Sequence, residues 1–200
     1  MLVGLLTVVY ALCYSAIKLG LPYAPPLRFA GLRAVLGGLT LLAAVLLLGQ
    51  PILPPRRLWR GTMALAVLGT FGGYGAMFMS PGRTGAGISS VVGNTGPIFT
   101  VILAAFFLGE PLTRAKTVAL FLGAAGVTAI AWPAMLEPSG RSVDAACPLT
   151  AAISAAAASV LLKKMDVGRH LIRVATWQLL LGAIPLLLLA AALETGGVQW

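Results

Sequence analysis

Acidic residues are scarce in this chain: of 200 residues only five are Asp or Glu, against 14 Lys and Arg, with one His and two Cys. Glu137, Asp144, Asp166 and Glu194 fall between apolar runs, and Glu110 closes one, so no carboxylate lies deep in an apolar segment. An intramembrane enzyme needs paired carboxylates, a nucleophile with its histidine, or a metal cluster within its spans. None is visible, which predicts a protein that is not an enzyme and carries neither metal nor cofactor. His170 stands in a basic loop, where the sequence predicts simple solvation, so proton coupling through a buried titratable group is disfavoured in this part of the protein. Cys13 and Cys147 have no metal-ligand spacing and no disulfide framework and read as small packing residues.

Charge of either sign is also sparse, at 10% of residues where a soluble domain carries about 25%. The formal charge of +9 raises the question of nucleic acid, but the cations sit in twos and threes at the ends of apolar runs, without aromatic interleaving. The partner they imply is a lipid bilayer. Apolar runs of about 16 to 22 residues match the roughly 20 that a helical span needs and are twice what a barrel strand needs. The predicted fold is all-α, a polytopic helical membrane protein, with spans at 2–21, 27–48, 61–79, 86–108, 117–132, 147–162 and 172–193. The first run lacks a basic leader and a small-residue cleavage site, so it reads as a retained span. Pro22, Pro25, Pro26, Pro51, Pro54, Pro55, Pro81, Pro111, Pro133 and Pro138 mark the intervening breaks.

The connections after the second, fourth and sixth spans hold Arg56, Arg57, Arg60, Arg114, Lys116, Lys163, Lys164, Arg169 and Arg173. The other side holds Lys18, Arg28, Arg83 and Arg141. The positive-inside rule therefore predicts a multi-pass protein of the cell membrane with its N-terminus in the cytoplasm, and Trp59, Trp132 and Trp200 fit interfacial anchoring.

A constant offset of 145 lays Lys18 on Lys163, Arg28 on Arg173, Ala30 on Ala175, Gly37 on Gly182, and Leu41 and Leu42 on Leu186 and Leu187 without a gap. Two charges bracketing a connection of equal length, followed by a shared helix glycine, point to a duplication. Five spans separate the copies, and an odd number inverts the second. The predicted organisation is a first repeat at 1–133 and the start of an inverted second repeat at 146–200. About three further spans, roughly 80 to 90 residues, are expected to complete ten helices. Inverted repeats place a solute site near the membrane midplane where they meet.

The stretches YALCYSAIKLG at 10–20, APPLRFAGLRAVLGGLTLL at 24–42 and TGAGISSVVGNTGPIFTVILAAFFLGEPLTRAKTVALFLGAAGVTAI at 84–130 resemble EamA-type members of the drug/metabolite transporter superfamily. The family-like features are a small-residue helix start, Pro97 in mid-span, Glu110 closing the span and a Gly-rich fifth helix after a basic turn. The resemblance implies ten helices in two inverted five-helix repeats, cytoplasmic termini, and transport of small polar or amphiphilic metabolites, often outward. Ala11 and Leu12 replace the family's common Trp-Gly-type pair, and Ser80 to Arg83 replace a more aliphatic helix end. Substrate identity therefore does not carry over.

Candidate pathway residues are those with polar or adaptable side chains in apolar spans. Arg33 lies five residues beyond Arg28, about 7 to 8 Å further into its span; it either draws a substrate carboxylate or phosphate or snorkels to the headgroups. Lys18, Tyr14 and Ser15 form a polar stripe or an interfacial anchor. Spans three and four bring Tyr74 and Met77, then Asn94, Thr95 and Pro97 among glycines that weaken the helix or allow close packing. Glu110, beside Arg114 and Lys116, either fastens a cytoplasmic turn or gates it. The expected partner is a small-molecule substrate, anionic or zwitterionic, such as an amino acid or related compound, moved by alternating access and outward; a homodimer is compatible with this sequence. The rival readings are a non-transporting scaffold, in which polar groups turn to partner helices with no cavity, and a channel, for which no charged ring or filter segment appears.

Overall fold

The computed structural model describes residues 12–136 and 146–194. The expectations attached to residues 2–11, Glu137, Pro138, Arg141, Asp144 and Trp200, and to the side chains of Trp132 and Pro133, lie outside what is described. Among the described residues every element is helical: α1 (12–20), α2 (Pro26–Leu47), α3 (Arg56–Arg83), α4 (Ala86–Leu108), α5 (Arg114–Leu136), α6 (Ala146–Lys164) and α7 (Leu171–Leu193). Five of the helical stretches among the described residues are long and apolar enough to cross a membrane. Large apolar side chains such as Leu47, Phe106 and Phe121 point outward, the reverse of a soluble fold and the arrangement that lipid requires.

The predicted breaks hold at Pro26, which opens α2 at its first turn where a missing N–H costs nothing, and at Pro111 between α4 and α5. Two do not hold. The third helix runs from Arg56 through Pro81 rather than stopping at Met79, and α5 continues past position 133. At Pro81 the reason is visible. Proline has no N–H for the Met77 carbonyl, and the Ser80 hydroxyl donates to that carbonyl instead, at 3.0 Å. A neighbouring hydroxyl that repairs the ladder lets a membrane helix tolerate proline. The chain turns only at Gly85, whose φ of 82° suits a residue without a Cβ.

The third helix is irregular at its centre: Ala66–Tyr74 is π-helical and contains Gly69, Gly72 and Gly73. The fourth is interrupted at Asn94 and Thr95, between Ala86–Gly93 and Gly96–Leu108.

The most extensive packing is between α2 and α7, which run antiparallel. Gly31 lies under Leu187 and Gly38 under Leu180, so seven residues up one helix match seven down the other; a Cβ added at either glycine would stand 2.6 Å from the leucine. Hydrogen bonds between side chains and backbone tie both ends. At one, the Glu194 carboxylate accepts the Leu27 and Arg28 N–H groups at 2.7 and 3.0 Å, capping α2 from another helix. At the other, Arg173 Nη1 donates to the Leu53 carbonyl at 3.2 Å and Trp177 Nε1 to the Ile52 carbonyl at 3.0 Å. Arg28 and Arg173 therefore stand at opposite ends of the pair. Arg173, counted from the sequence among the cations of the α6–α7 connection, is buried at the start of α7 and touches His170, which is therefore not simply solvated.

Around this pair, α3 packs on α6 and α7, and α4 packs on α6. One core gathers Tyr14, Ile17, Leu27, Ala30, Met77, Phe78 and Leu186; a second, toward the other end, gathers Leu58, Leu65, Ala158, Val167 and Val174.

Candidate functional site

A cavity of about 670 Å³ opens between the α1–α2 turn, α2, α3 and α7, with Arg33 and Tyr74 in its wall. Most of the remaining wall is apolar, including Phe29, Leu32, Leu36 and Leu179. Arg33 is seven residues into α2, about 10 Å along the axis. Its guanidinium carbon lies 5.3 Å from the Tyr74 ring centroid and 5.6 Å from that of Phe78. Phe78 is fixed by an edge contact with Phe29, at 5.1 Å and 81°. A cation over an aromatic face gains about 0.5–1 kcal/mol when exposed and about 2 or more when desolvated. Arg33 is exposed, so the lower figure applies, and the rings offset part of the roughly 2.5–3.5 kcal/mol charged to an arginine at mid-span on insertion scales. The aromatic cluster thus holds the charge in the wall.

Polar partners for this charge are few. Arg33 Nη1 donates to Cys13 Sγ at 3.1 Å, a weak acceptor, and no carboxylate pairs with Arg33 among the described residues. A guanidinium carries five N–H donors, so most of its capacity faces the cavity. Carboxylate and phosphate match that planar fork two oxygens at a time. An apolar wall with one planar cation is chemically suited to an amphiphile with an anionic head.

The sequence candidates divide around this cavity. Arg33 and Tyr74 meet in it. Tyr14 and Met77 are buried in the core behind it, with the Tyr14 ring packed on Gly93, where a Cβ would stand 2.8 Å from its Cζ. Tyr14 therefore links α1 to the interruption in α4. Ser15 and Lys18 are exposed on α1 away from the cavity lining.

Asn94, Thr95 and Pro97 form the α4 interruption and do not line the cavity. Asn94 Nδ2 donates to the Ser90 carbonyl at 2.7 Å and Thr95 Oγ1 to the Val92 carbonyl at 2.6 Å. Pro97 restarts the helix within its first two positions. Asn94 Nδ2 and Thr95 Oγ1 are thus turned to their own helix.

Glu110 sits in the connection between α4 and α5, past Gly109, whose φ of 66° ends the helix in the left-handed region. It pairs with Lys163 at the end of α6 and with Lys116 at 3.1 Å. The hydrogen bond from Lys163, then that from Lys116, holds its carboxyl below the ordinary carboxylate value.

Sequence reasoning missed Cys13 as a neighbour of Arg33, Phe78 as its second aromatic support and the Glu194 cap. Apolar residues at ordinary helical spacing carry no mark of which face they present. The cap joins residues 167 apart, with no local signature.

Residues 1–132 match the EamA-like transporter family. The chain is 30% identical over 180 residues to an uncharacterized transporter of Archaeoglobus fulgidus, covering 88% of this chain and 62% of that protein. It is 27% identical to the uncharacterized transporter YoaV of Bacillus subtilis, over 94% of this chain and 65% of the relative. It is 28% identical to a probable amino-acid metabolite efflux pump of Salmonella typhimurium, over 95% of this chain and 62% of the relative. The chain thus spans less than two thirds of the length of these relatives. No solved structure matches it. A family match across most of the chain, on helices built to face lipid, leads to one conclusion: this multi-pass membrane protein belongs to the EamA-like transporter family, of the drug/metabolite transporter type.

Proposed function

We propose that this protein moves small amphiphilic metabolites with an anionic or zwitterionic head, such as amino acids and their relatives, outward across the cytoplasmic membrane by alternating access. The observation that carries this reading is Arg33, held on Tyr74 and Phe78 in the wall of a largely apolar cavity. The guanidinium takes the head by a charge-assisted bond, and Leu32, Leu36 and Leu179 cover the tail. The similarity to the probable amino-acid metabolite efflux pump of Salmonella typhimurium supports the same solute class.

On this reading residues 1–133 form one five-helix unit and residues 146–200 open its inverted copy, with the N-terminus cytoplasmic. The antiparallel α2–α7 pair, joined at both ends, supports that relation. The solute would cross between the units as they rock.

The test is counterflow of radiolabelled leucine and phenylalanine in proteoliposomes holding the full-length protein. A charge-assisted hydrogen bond contributes about 1.5–3 kcal/mol, so Arg33→Ala should cut flux by roughly tenfold to a hundredfold. Arg33→Lys should recover part of it, since an ammonium keeps the charge and loses the fork. Absence of counterflow in the wild type, or wild-type flux in Arg33→Ala, would remove the assignment.

A further inference from the structure

A second, smaller cavity of about 200 Å³ lies among α3, α6 and α7, lined by Leu65, Gly69, Ala158, Ser159, Leu162 and Gln178 among others. Gln178 is partly buried, and its carboxamide has no hydrogen-bond partner among the described residues. An unpaired amide in hydrocarbon costs several kcal/mol on cyclohexane-type scales. Gly69 makes room for it: a Cβ there would stand 2.7 Å from Gln178 Nε2 and 3.3 Å from the Ala158 methyl. The chain therefore keeps a polar group open to a small void by leaving out a side chain opposite.

The offset of 145 lays Arg33 on Gln178 and Cys13 on Ala158. Arg33 touches Cys13, and Gln178 and Ala158 both crowd the same point beside Gly69. Both members of one contact thus have counterparts that meet in the other half. In the α2–α7 register Arg33 is level with position 185, which leaves Gln178 seven residues, or about 10 Å, nearer the opposite end. The larger cavity reaches the α1–α2 turn through Gly20, Tyr23 and Ala24. The smaller reaches the end of α6 through Leu162. The π-helical segment of α3 connects them, with Gly69 at one and Tyr74 at the other.

We propose that Gln178 is a second polar station on the solute path, the repeat-related counterpart of Arg33 on the opposite side of the membrane midplane. Arg33 binds the anionic half of the head. The Gln178 carboxamide, donor and acceptor at once, can receive either half of a zwitterionic head. This inference rests on the transport reading above.

The test uses the full-length protein carrying Cys13→Ser and Cys147→Ala, with further native cysteines replaced, in right-side-out and inside-out vesicles probed with a membrane-impermeant maleimide. Arg33→Cys should be labelled from one face and Gln178→Cys from the other. Ser159→Cys, a near-isosteric reporter on the same small cavity, should follow Gln178→Cys and serves if the latter does not fold. Labelling of both stations from one face, or silence at 178 and 159 while 33 reacts, would overturn the proposal. In counterflow, Gln178→Leu should lower leucine flux by about tenfold and Gln178→Asn should restore much of it, an effect worth one or two hydrogen bonds. Labelling does not depend on flux, so loss of counterflow in the wild type would defeat the transport reading while leaving the two-sided geometry standing.

Discussion

The Arg33 corner and the break in α4 both put polar side chains inside apolar helices, and they resolve the same physical problem in opposite ways. At the Arg33 corner, α2 is unbroken, and the charge is supported from neighbouring helices by Tyr74, Phe78 and Cys13. At Asn94 the helix is interrupted, and the polar side chains there turn to nearby carbonyls of the same helix, Asn94 to Ser90 and Thr95 to Val92. A polar residue beside glycine and proline can thus find a partner within its own helix. A short hydroxyl in a regular helix can also turn back on its own backbone, as Thr40 does on the Leu36 carbonyl, whereas the long Arg33 side chain reaches to other helices.

That contrast can be broken experimentally. The largest effect is expected at the outward-looking residue, where Arg33→Ala lowers counterflow by roughly tenfold or more while leaving thermal stability in detergent nearly unchanged. An Arg33→Ala protein with intact flux and lost stability would invert the comparison. Next comes the support of α3 against α7. An added Cβ at Gly182 would stand 2.7 Å from the Ala66 carbonyl oxygen, so Gly182→Val should destabilise by about 1–3 kcal/mol through overpacking, read as a lower melting temperature. The self-satisfied break should be milder: Asn94→Ala loses one hydrogen bond to its own helix, about 1 kcal/mol of stability, with flux close to wild type. A large flux defect there would return Asn94 to the solute path.

The smallest effect is expected at Glu110, whose ion pairs are partly exposed and screened by solvent. Its carboxyl titrates lower in the folded protein than in the unfolded chain. The stabilisation is therefore full above the ordinary carboxylate value and is lost as pH falls through the lowered one. Glu110→Gln should melt slightly below the wild type at neutral pH, and the difference should close under acid and in high salt.

Much of the architecture is legible in the sequence because bilayer thickness and backbone hydrogen bonding leave few alternatives to helices of about 20 residues. The apolar runs at 27–48 and 172–193 fall almost on α2 and α7. Pro81 misled because a proline reads as a stop unless the next side chain's role is known, and Ser80 repairs the Met77 carbonyl. Of the site, Arg33 and Tyr74 were legible as polar residues in apolar context. Their meeting was not, because it depends on how α2 and α3 turn toward each other, and the π-helical Ala66–Tyr74 segment shifts that phase from the 3.6-residue period on which sequence patterns rest. Gln178 was hidden differently: only alignment of the chain on itself marks it as the counterpart of Arg33.

The cap that Glu194 places on α2 has a consequence for how the molecule is made. The amides of Leu27 and Arg28 leave the ribosome 167 and 166 residues before the carboxylate that receives them. At about 5–20 residues per second, that is a wait of roughly 8 to 33 seconds. Until then those amides lack this partner and, like other first-turn N–H groups, need another acceptor. Only once Glu194 has followed α7 out can its carboxylate take them and fasten a late helix to an early one.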